Sequence, residues 1–255
     1  MAPPFLQIIA HRGFSARAPE NTLAAIRAGL DAGADAVEWD MHVAACGTPV
    51  LLHDATLERT TDGSGAVAET RLDALRTLDA GGWFDPAFAG ERIPTFVEAL
   101  EEVGPYGATV YAEVKGTRVD ADLDRLVREV AETGMRERTV FISLDFDVVD
   151  GIAARDPEVR VGYVVARLQQ FQDAVGRARS LGSRGLVDLD HRLVLDDPLL
   201  PPRARAQGVD VAVWTVDDPD EAETLFRSGI RRFTTNQVET LVGWRATRIS
   251  PPDEG

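Results

Sequence analysis

The sequence predicts an α/β fold, a (β/α)8 barrel, and three observations favour this architecture. Short apolar runs rich in β-branched residues alternate with amphipathic stretches along most of the chain. Leaving one short returning run aside, there are eight strand-like runs, the number that closes a parallel barrel. No Gly-x-Gly-x-x-Gly or Walker motif follows any of them, which argues against an open doubly wound sheet.

The strands and helices are assigned in chain order from these patterns. Strands, in which β-branched and aromatic residues are common, are expected at 5–10, 34–43, 109–115, 139–144, 159–165, 185–190, 209–216 and 230–235. Amphipathic periodicity predicts helices near 23–32, 95–103, 120–132, 147–154, 169–181, 198–207, 219–228 and 238–245. Asn21 or Thr22 is the expected N-cap of the first of these helices.

The second strand is expected to continue into a β-hairpin. Only a few residues separate its end at Val43 from the returning run that begins at Pro49, with a turn at Cys46-Gly47. A parallel crossover needs a much longer connection, so the returning run must be antiparallel. Folding about this turn brings His53 back opposite Asp40.

An irregular segment, 55–94, follows the hairpin and contains one predicted helix near 69–78. Such a segment is typical of a functional lid or a small subdomain, and we expect an insertion that forms one wall of the site. The predicted organisation is therefore a single barrel domain over 1–248 with the insertion 55–94, followed by a flexible tail over 249–255.

Composition excludes several classes of function. The 255-residue chain has a formal net charge of −15, which disfavours nucleic acid and anionic membranes as partners. It lacks a signal peptide and a membrane-spanning run, and its one cysteine cannot form an internal disulfide, so we expect a cytoplasmic protein without stable membrane association. The sequence leaves the oligomeric state open.

Three acidic residues are expected to converge at the barrel mouth. Glu38 and Asp40 lie two apart on one strand and so share a face, and Glu113 follows on the next strand. Three carboxylates suit a hard cation, Mg²⁺ or Ca²⁺, better than zinc. The alternative is a buried network of ion pairs, with Arg12 on Glu38 and Lys115 on Glu113, which would leave Asp40 unpaired.

Basic groups at the same strand ends indicate phosphoryl chemistry. His11 and Arg12 end the first strand, Lys115 is the only lysine in the chain, and His53 arrives from the hairpin. The cationic side chains could offset charge on a phosphorane-like transition state. One imidazole could remove a proton from the attacking oxygen while the other protonates the leaving oxygen. The other two histidines are expected to be less involved.

These residues form a set of motifs that closely resembles the glycerophosphodiester phosphodiesterase family. The resemblance covers nearly the full length and is densest from 9 to 115. It is carried, in the order typical of the family, by His11-Arg12-Gly13, Pro19-Glu20-Asn21-Thr22, Glu38-Trp39-Asp40, His53-Asp54, Arg59-Thr60-Thr61, Ile93-Pro94-Thr95 and Glu113-Val114-Lys115.

The resemblance implies metal-dependent hydrolysis of a small glycerophosphodiester to glycerol 3-phosphate and an alcohol, either directly by water or through a cyclic phosphate. By matching position it implies that Glu38, Asp40 and Glu113 bind one divalent cation and that His11 and His53 are the acid–base pair. It places Arg12, Lys115 and Trp214 on the substrate. Glu20 and Asn21, within the second motif, are expected to contact these residues and hold them in position, without contacting the substrate.

Three positions depart from the family pattern. Cys46 stands in a turn that usually has Asp-Gly, Asp217 stands where Asn is usual, and Asn236 stands where the family has the Asp of Thr-Asp-x-Pro. Because none of the three is expected to touch the catalytic residues, activity should persist, while the preference for the alcohol becomes uncertain.

Two other functions remain as alternatives. The first is a lysophospholipase D or sphingomyelinase D-like activity on the same scaffold, which needs an apolar rim that Trp83, Phe84 and Phe88 could supply, although we expect these rings to form the core of the insertion. The second is a non-catalytic barrel that binds a phosphorylated ligand. Retention of both histidines and all three carboxylates argues against this second alternative.

Overall fold

The computed structural model describes residues 6–249, and in this range a single sheet closes into the expected barrel. Eight parallel strands form its wall, because the first strand pairs both with the second and with the last. The strands are β1 Gln7–Ala10, β2 Ala36–Val43, β4 Thr109–Gly116, β5 Thr139–Ser143, β6 Arg160–Val165, β7 Gly185–Asp190, β8 Asp210–Trp214 and β9 Arg232–Thr235. The remaining strand, β3 Pro49–Leu51, lies antiparallel to β2 and forms the expected hairpin.

Most of the helices cover the outside of the barrel. The helices are α1 Leu23–Asp31, α2 Leu72–Leu75, α3 Phe96–Val103, α4 Ala121–Glu132, α5 Phe146–Arg155, α6 Phe171–Ser180, α7 His191–Asp196, α8 Leu200–Arg205, α9 Pro219–Arg227 and α10 Val238–Ile249. Of these, α2 belongs instead to the segment between β3 and α3. Thr22 is the N-cap of α1, since its hydroxyl accepts the Ala25 N–H at 3.2 Å. Among residues 6–249, no helix combines the length and apolar content that crossing a bilayer requires.

The apolar residues of the barrel form two separate layers, as strand alternation requires. One layer fills the barrel interior and includes Ile9, Tyr111, Ile142 and Leu186. The other lies between the strands and the helices, where Trp39 packs edge to face on Phe96 with ring centroids 6.2 Å apart. Because Trp39 faces this outer layer, its neighbours Glu38 and Asp40 face the barrel interior.

The segment between β3 and α3 has a small apolar core of its own. Leu57, Val67, Leu75 and Ile93 pack there against hairpin residues such as Val50. The predicted helix near 69–78 is shorter, because it consists of the 3₁₀ turn Val67–Glu69 and the one-turn helix α2.

Two boundaries differ from the sequence assignment. The helix α7 lies directly after β7, where no helix was predicted, and Asp190 is its N-cap. At the carboxyl end, α10 continues to Ile249, and 250–255 of the predicted tail lie outside the described residues.

Candidate active site

The three predicted acidic residues meet at the carboxyl ends of β2 and β4. Asp40 is in register with Glu113, and Glu38 precedes Asp40 by two residues on the same inner face. One oxygen from each of these carboxylates lies within 4.8 Å of one oxygen from each of the others, and all three residues are buried. Parallel register and strand alternation thus produce the cluster that the sequence predicts.

Two cationic side chains contact this acidic cluster. The Lys115 Nζ lies 3.2 Å from Asp40 Oδ1 and 2.8 Å from Glu113 Oε1. The Arg12 Nε lies 3.1 Å from Asp40 Oδ2, and the Arg12 backbone N–H donates to Glu38 Oε2 at 3.0 Å. The expectation that a network of ion pairs would leave Asp40 unpaired is therefore wrong, since both cations contact Asp40.

The cluster nevertheless fits a divalent cation. Glu38 Oε1 is buried and has no hydrogen-bond partner among the described residues. Burial and the neighbouring carboxylates raise the pKa of both Glu38 and Glu113. Three carboxylates against two cationic side chains leave one excess negative charge in a buried place, and an oxygen-binding cation would neutralise it.

His11 is held by a residue from the far end of the chain. Its Nδ1 lies 2.7 Å from Asn236 Oδ1, and the Asn236 amide is oriented in turn because Nδ2 donates to Asp217 Oδ2 at 2.7 Å. Since Asn236 presents an acceptor, the His11 proton must be on Nδ1, which leaves Nε2 as an acceptor 3.9 Å from Glu38 Oε2. Burial and then the Arg12 guanidinium lower the pKa of His11 to about 4.

Asn236 and Asp217 correct one expectation from the sequence. Both are departures from the family pattern, and they were expected to lie away from the catalytic residues, yet Asn236 bonds directly to His11. They also bond to each other through two contacts of 2.7 Å. In this chain the neutral Asn236 amide contacts His11, and the Asp217 carboxylate contacts that amide rather than the imidazole.

His53 is oriented by an ionised neighbour. Its Nδ1 lies 2.6 Å from Asp54 Oδ1, so Nδ1 carries the proton. Hydrogen bonds from Arg59 and His53 lower the pKa of Asp54 far below its usual value. The hairpin register pairs Leu52, rather than His53, with Asp40 through a backbone bond of 3.0 Å, so His53 lies one residue beyond the expected pairing.

Glu20 and Asn21 both make hydrogen bonds to residues of the site. Glu20 accepts hydrogen bonds from Arg12 at 2.8 Å and from Arg59 at 2.8 and 2.9 Å, so it joins the two arginines. Asn21 makes two hydrogen bonds of 3.0 Å with Asp40, one from its amide to Oδ2 and one from the Asp40 N–H to its oxygen. Both Arg12 and Asn21 adopt the left-handed conformation, with φ of 55° and 59°.

The position after His11-Arg12 requires a glycine, Gly13. Its φ is 78°, and a Cβ at this position would lie 2.4 Å from the Ala25 carbonyl carbon on α1. Any side chain would push the loop away from the helix, and Arg12 would move with it.

The site opens on a cavity of about 260 Å³ whose two halves differ in chemistry. His11, Arg12, Glu38, His53, Glu113 and Lys115 line the half formed by β1, β2 and β4 together with the hairpin return. Ile142, Leu144, Val164, Asp188 and Trp214 are among the residues that line the half formed by β5 to β8. No residue of the segment 55–94 lines the cavity, so the insertion is not the expected wall, and its contact with the site is through Arg59.

The other two histidines, His42 and His191, do not line the cavity. His42 contacts the His53 carbonyl oxygen at 3.0 Å, and His191 contacts the Trp214 carbonyl oxygen at 3.2 Å. The Trp214 indole N–H donates to the Asp188 backbone oxygen at 3.2 Å, which fixes the ring at the cavity wall.

Five residues that contribute to the site were not assigned a role in it from the sequence. They are Asp54 and Arg59 beside His53, Asn236 and Asp217 beside His11, and Asp188 in the cavity. Asp54 and Arg59 had a usable signal, because an acidic residue adjacent to a candidate histidine is a natural orienting partner. Asp188 looks like any other acidic residue in a strand, and only the barrel closure brings Asn236 to His11.

Comparison with known proteins agrees with this geometry. Residues 11–240 match the glycerophosphoryl diester phosphodiesterase family. A glycerophosphodiester phosphodiesterase from Caldanaerobacter subterraneus subsp. tengcongensis is 30% identical over 239 residues, which are 92% of this chain and 96% of that protein.

Two solved structures share the fold along nearly their whole length. A glycerophosphodiester phosphodiesterase from Agrobacterium tumefaciens superposes with a TM-score of 0.80 at 28% identity, covering 93% of this chain and 99% of the other. A phosphodiesterase from Oleispira antarctica, in complex with the product sn-glycerol-3-phosphate, superposes with a TM-score of 0.82 at 28% identity, covering 94% and 97%.

Proposed function

Because the chain belongs to the glycerophosphoryl diester phosphodiesterase family, we propose that it hydrolyses glycerophosphodiesters to sn-glycerol 3-phosphate and an alcohol. One observation carries the proposal. The carboxylates of Glu38 and Glu113, the imidazoles of His11 and His53 and the Lys115 ammonium all face a single cavity. Acid–base groups, cationic groups and a cation site in one enclosure are the parts that phosphoryl transfer to water requires.

We assign the cation to Glu38, Asp40 and Glu113, and its identity to Mg²⁺ or Ca²⁺, because all three ligands are hard oxygen donors. When bound, such an ion would offset negative charge on the phosphoryl oxygens. Arg12 and Lys115 face the same cavity and bind the phosphate, while Glu20 and Asn21 hold Arg12 and Asp40 in position.

The two imidazoles have different surroundings, and these suggest different tasks. His11 bonds to a neutral amide and has a lowered pKa, so its Nε2 is free to take the proton from the attacking oxygen. His53 bonds to the ionised Asp54, and a carboxylate at Nδ1 stabilises the positive charge of a doubly protonated ring. His53 therefore donates the proton to the leaving alcohol oxygen. The attacking oxygen belongs to water or to a hydroxyl of the substrate.

Trp214 lines the opposite half of the cavity and contacts the organic part of the substrate. The lysolipid alternative would use apolar surface near the mouth. Trp83, Phe84 and Phe88 make edge-to-face contacts with one another at 5.7 and 5.8 Å, but none of them lines the cavity or belongs to the core of the insertion. We therefore keep the small diester as the substrate.

The organisation of the chain follows from the same proposal. Residues 1–248 form one catalytic domain, with 55–94 as an insertion that supports the site through Arg59. The enzyme acts on small substrates in the cytoplasm, without a nucleic-acid partner and without stable membrane association.

Metal add-back against a panel of substrates tests the function. The protein is depleted of metal, then assayed with glycerophosphocholine, glycerophosphoethanolamine and lysophosphatidylcholine, with Mg²⁺, Ca²⁺ or Zn²⁺ restored singly. We expect release of glycerol 3-phosphate from the first two substrates with Mg²⁺ or Ca²⁺. Turnover of lysophosphatidylcholine alone would favour the lysolipid alternative, and full activity without any cation would refute the metal assignment.

Substitution of each histidine tests the acid–base assignment. His11→Ala and His53→Ala should each lower kcat by ~10²–10⁴-fold, because each removes one proton-transfer group. Thermal melting followed by circular dichroism should show that both variants remain folded. Full activity in both variants would refute the assignment and favour a different pair of proton carriers.

A further inference from the structure

The apolar half of the cavity contains a buried carboxyl group that the proposed mechanism does not use. Asp188 lies on the inner face of β7, two residues above Leu186 of the barrel interior, and lines the cavity. Ile142 and Val164 line the same half. A carboxyl group among aliphatic side chains is unfavourable unless something binds to it.

In the described part of the chain, no hydrogen bond or ion pair is made to the Asp188 carboxyl. The residue is 3% exposed, and its Oδ1 has no hydrogen-bond partner among residues 6–249. Its backbone oxygen accepts the Trp214 indole N–H, so that donor is directed away from the carboxyl. Asp190, two residues farther along, shows the contrast, because Arg192 donates to both of its carboxyl oxygens.

The surroundings of Asp188 identify the kind of group that it would bind. It is not part of the acidic cluster that suits a cation, and no arginine, lysine or histidine pairs with it in the described part of the chain. Burial and the nearby Glu113 carboxylate raise the pKa of Asp188 to about 8. A hydroxyl group suits either state, because it donates to an ionised carboxyl and accepts from a protonated one.

We propose that the Asp188 carboxyl binds a hydroxyl group of the glycerol moiety and thereby selects glycerol esters over phosphate esters without a hydroxyl. The assignment rests on the proposed function, which places the phosphate in the charged half of the cavity. The organic part then occupies the apolar half, where Trp214 and the aliphatic residues contact carbon and Asp188 is the buried carboxyl available to bind oxygen.

A cationic head group such as choline is the competing occupant, since a carboxylate beside an indole ring can bind an ammonium ion. The burial of Asp188 among aliphatic side chains argues for a neutral hydroxyl partner, because an ammonium ion would lose its hydration there. Glycerol 3-phosphate carries no ammonium group, so its affinity separates the two occupants.

The test compares two monoesters with the same three-carbon skeleton. Affinities of glycerol 3-phosphate and 1-propyl phosphate are measured by calorimetry in the presence of the activating cation, for the wild-type protein and for Asp188→Leu. We expect the wild-type protein to bind glycerol 3-phosphate about 10-fold more tightly than propyl phosphate, and Asp188→Leu to lose this preference while keeping its affinity for propyl phosphate.

Asp190→Asn is the matched control, because it removes the same charge from the same strand outside the cavity, and it should leave both affinities unchanged. Asp188→Ala replaces the leucine variant if the latter does not fold. Equal binding of the two monoesters by the wild-type protein, or an intact preference in the Asp188 variant, would overturn the proposal.

Measuring hydrolysis of glycerophosphodiesters alongside binding distinguishes a failure of the Asp188 proposal from a failure of the proposed function. A wild-type protein that hydrolyses glycerophosphocholine but binds both monoesters equally refutes the role of Asp188 alone. A protein that hydrolyses no glycerophosphodiester, yet loses its preference for glycerol 3-phosphate on Asp188→Leu, refutes the reaction and supports the hydroxyl site.

Discussion

Asn236 places a neutral amide between an imidazole and a carboxylate. Its oxygen accepts from His11 Nδ1 and from the Ser15 hydroxyl, and its nitrogen donates to Asp217. The amide therefore selects the His11 tautomer without bringing a negative charge into contact with the ring. A carboxylate in its place would stabilise the imidazolium and raise the pKa of His11, so that the ring would stay protonated to a higher pH.

Exchanging these two residues tests that role. In the double variant Asp217→Asn, Asn236→Asp, the hydrogen bond between them persists but the negative charge contacts His11. The charge should raise the pKa of His11, so the ring stays protonated to higher pH and the acidic limb of the kcat/KM profile moves up by about 1–2 pH units.

Asp217→Asn alone is the control, since it removes the charge without placing it beside His11, and its acidic limb should not move upward. An unchanged profile in the double variant would show that His11 is not the base.

At the residue scale, the sequence predicts side chains whose neighbours lie close along the strand. Glu38, Asp40 and Glu113 follow from spacing of two and from adjacent strands, and the structure brings them together. The sequence could not single out Asp188 in the same way. It is of interest because its carboxyl has no partner among the described residues, and only the packed structure shows this.

The insertion affects the site through a single arginine. Arg59 donates to Asp54, which orients His53, and to Glu20, which holds Arg12. One guanidinium thus connects the residues around His53, the proposed proton donor, with Arg12, the proposed phosphate-binding residue. The rest of the segment packs on the hairpin and lines no part of the cavity.

Arg59→Met should lower kcat/KM by about 10-fold, because Asp54 and Glu20 lose the donor that fixes both of them, and a charge-assisted hydrogen bond contributes roughly 1.5–3 kcal/mol. Steady-state kinetics on glycerophosphocholine measures the effect. Arg71→Met, which changes an exposed arginine of the same segment, is the matched control and should behave as wild type. Equal activity of the two variants would show that the insertion does not organise the site.

Elements were predictable where the apolar pattern is long. The strands and the major helices repeat at their characteristic periods, and each was found within a few residues of its assignment. The helix α7 was missed because its six residues are too few to show a period, and its start depends on the Asp190 cap. The insertion was the least predictable part, since its path depends on packing against the hairpin.

Charge at the centre of the barrel affects the stability of the whole molecule. The acidic cluster carries one more charge than its cationic neighbours neutralise, and the pKa of Glu38 is raised well above its usual value. Between the unfolded and the folded pKa of Glu38, the folded state binds more protons than the unfolded state. Rising pH therefore removes stability from the metal-free protein over this interval.

Glu38→Gln should relieve this destabilisation. In metal-free protein, the variant should have a higher free energy of unfolding than wild type, and the difference should be larger at pH 7 than at pH 5. Saturating Mg²⁺ or Ca²⁺ should reverse the order, since a ligand at 100 times its Kd stabilises the wild-type protein by about 2.7 kcal/mol. Chemical denaturation at both pH values, with and without the ion, measures these differences.

If the free energies of unfolding of the two proteins differed by the same amount at both pH values, the raised pKa of Glu38 would not be the cause of the difference. Stabilisation of Glu38→Gln by the ion as large as that of the wild-type protein would show that the ion binds elsewhere.

At the scale of the molecule, the alternation of eight strands with helices is enough to predict the barrel. Its closure cannot be located from local patterns, because β1 pairs with β9 across more than 220 residues. The same closure brings Asn236 against His11, so the fold was predictable before this part of the site was.

If His11 is the base, as proposed, its hydrogen bond with Asn236 makes activity depend on how much of the chain has been synthesised. His11 leaves the ribosome early and Asn236 late, because they lie 225 positions apart in the sequence. A nascent chain that lacks its last strand would carry every ligand for the ion and both imidazoles, but with the His11 ring unoriented. Turnover would therefore begin only when translation has supplied the final strand, and the appearance of activity during synthesis would time the closing of the barrel.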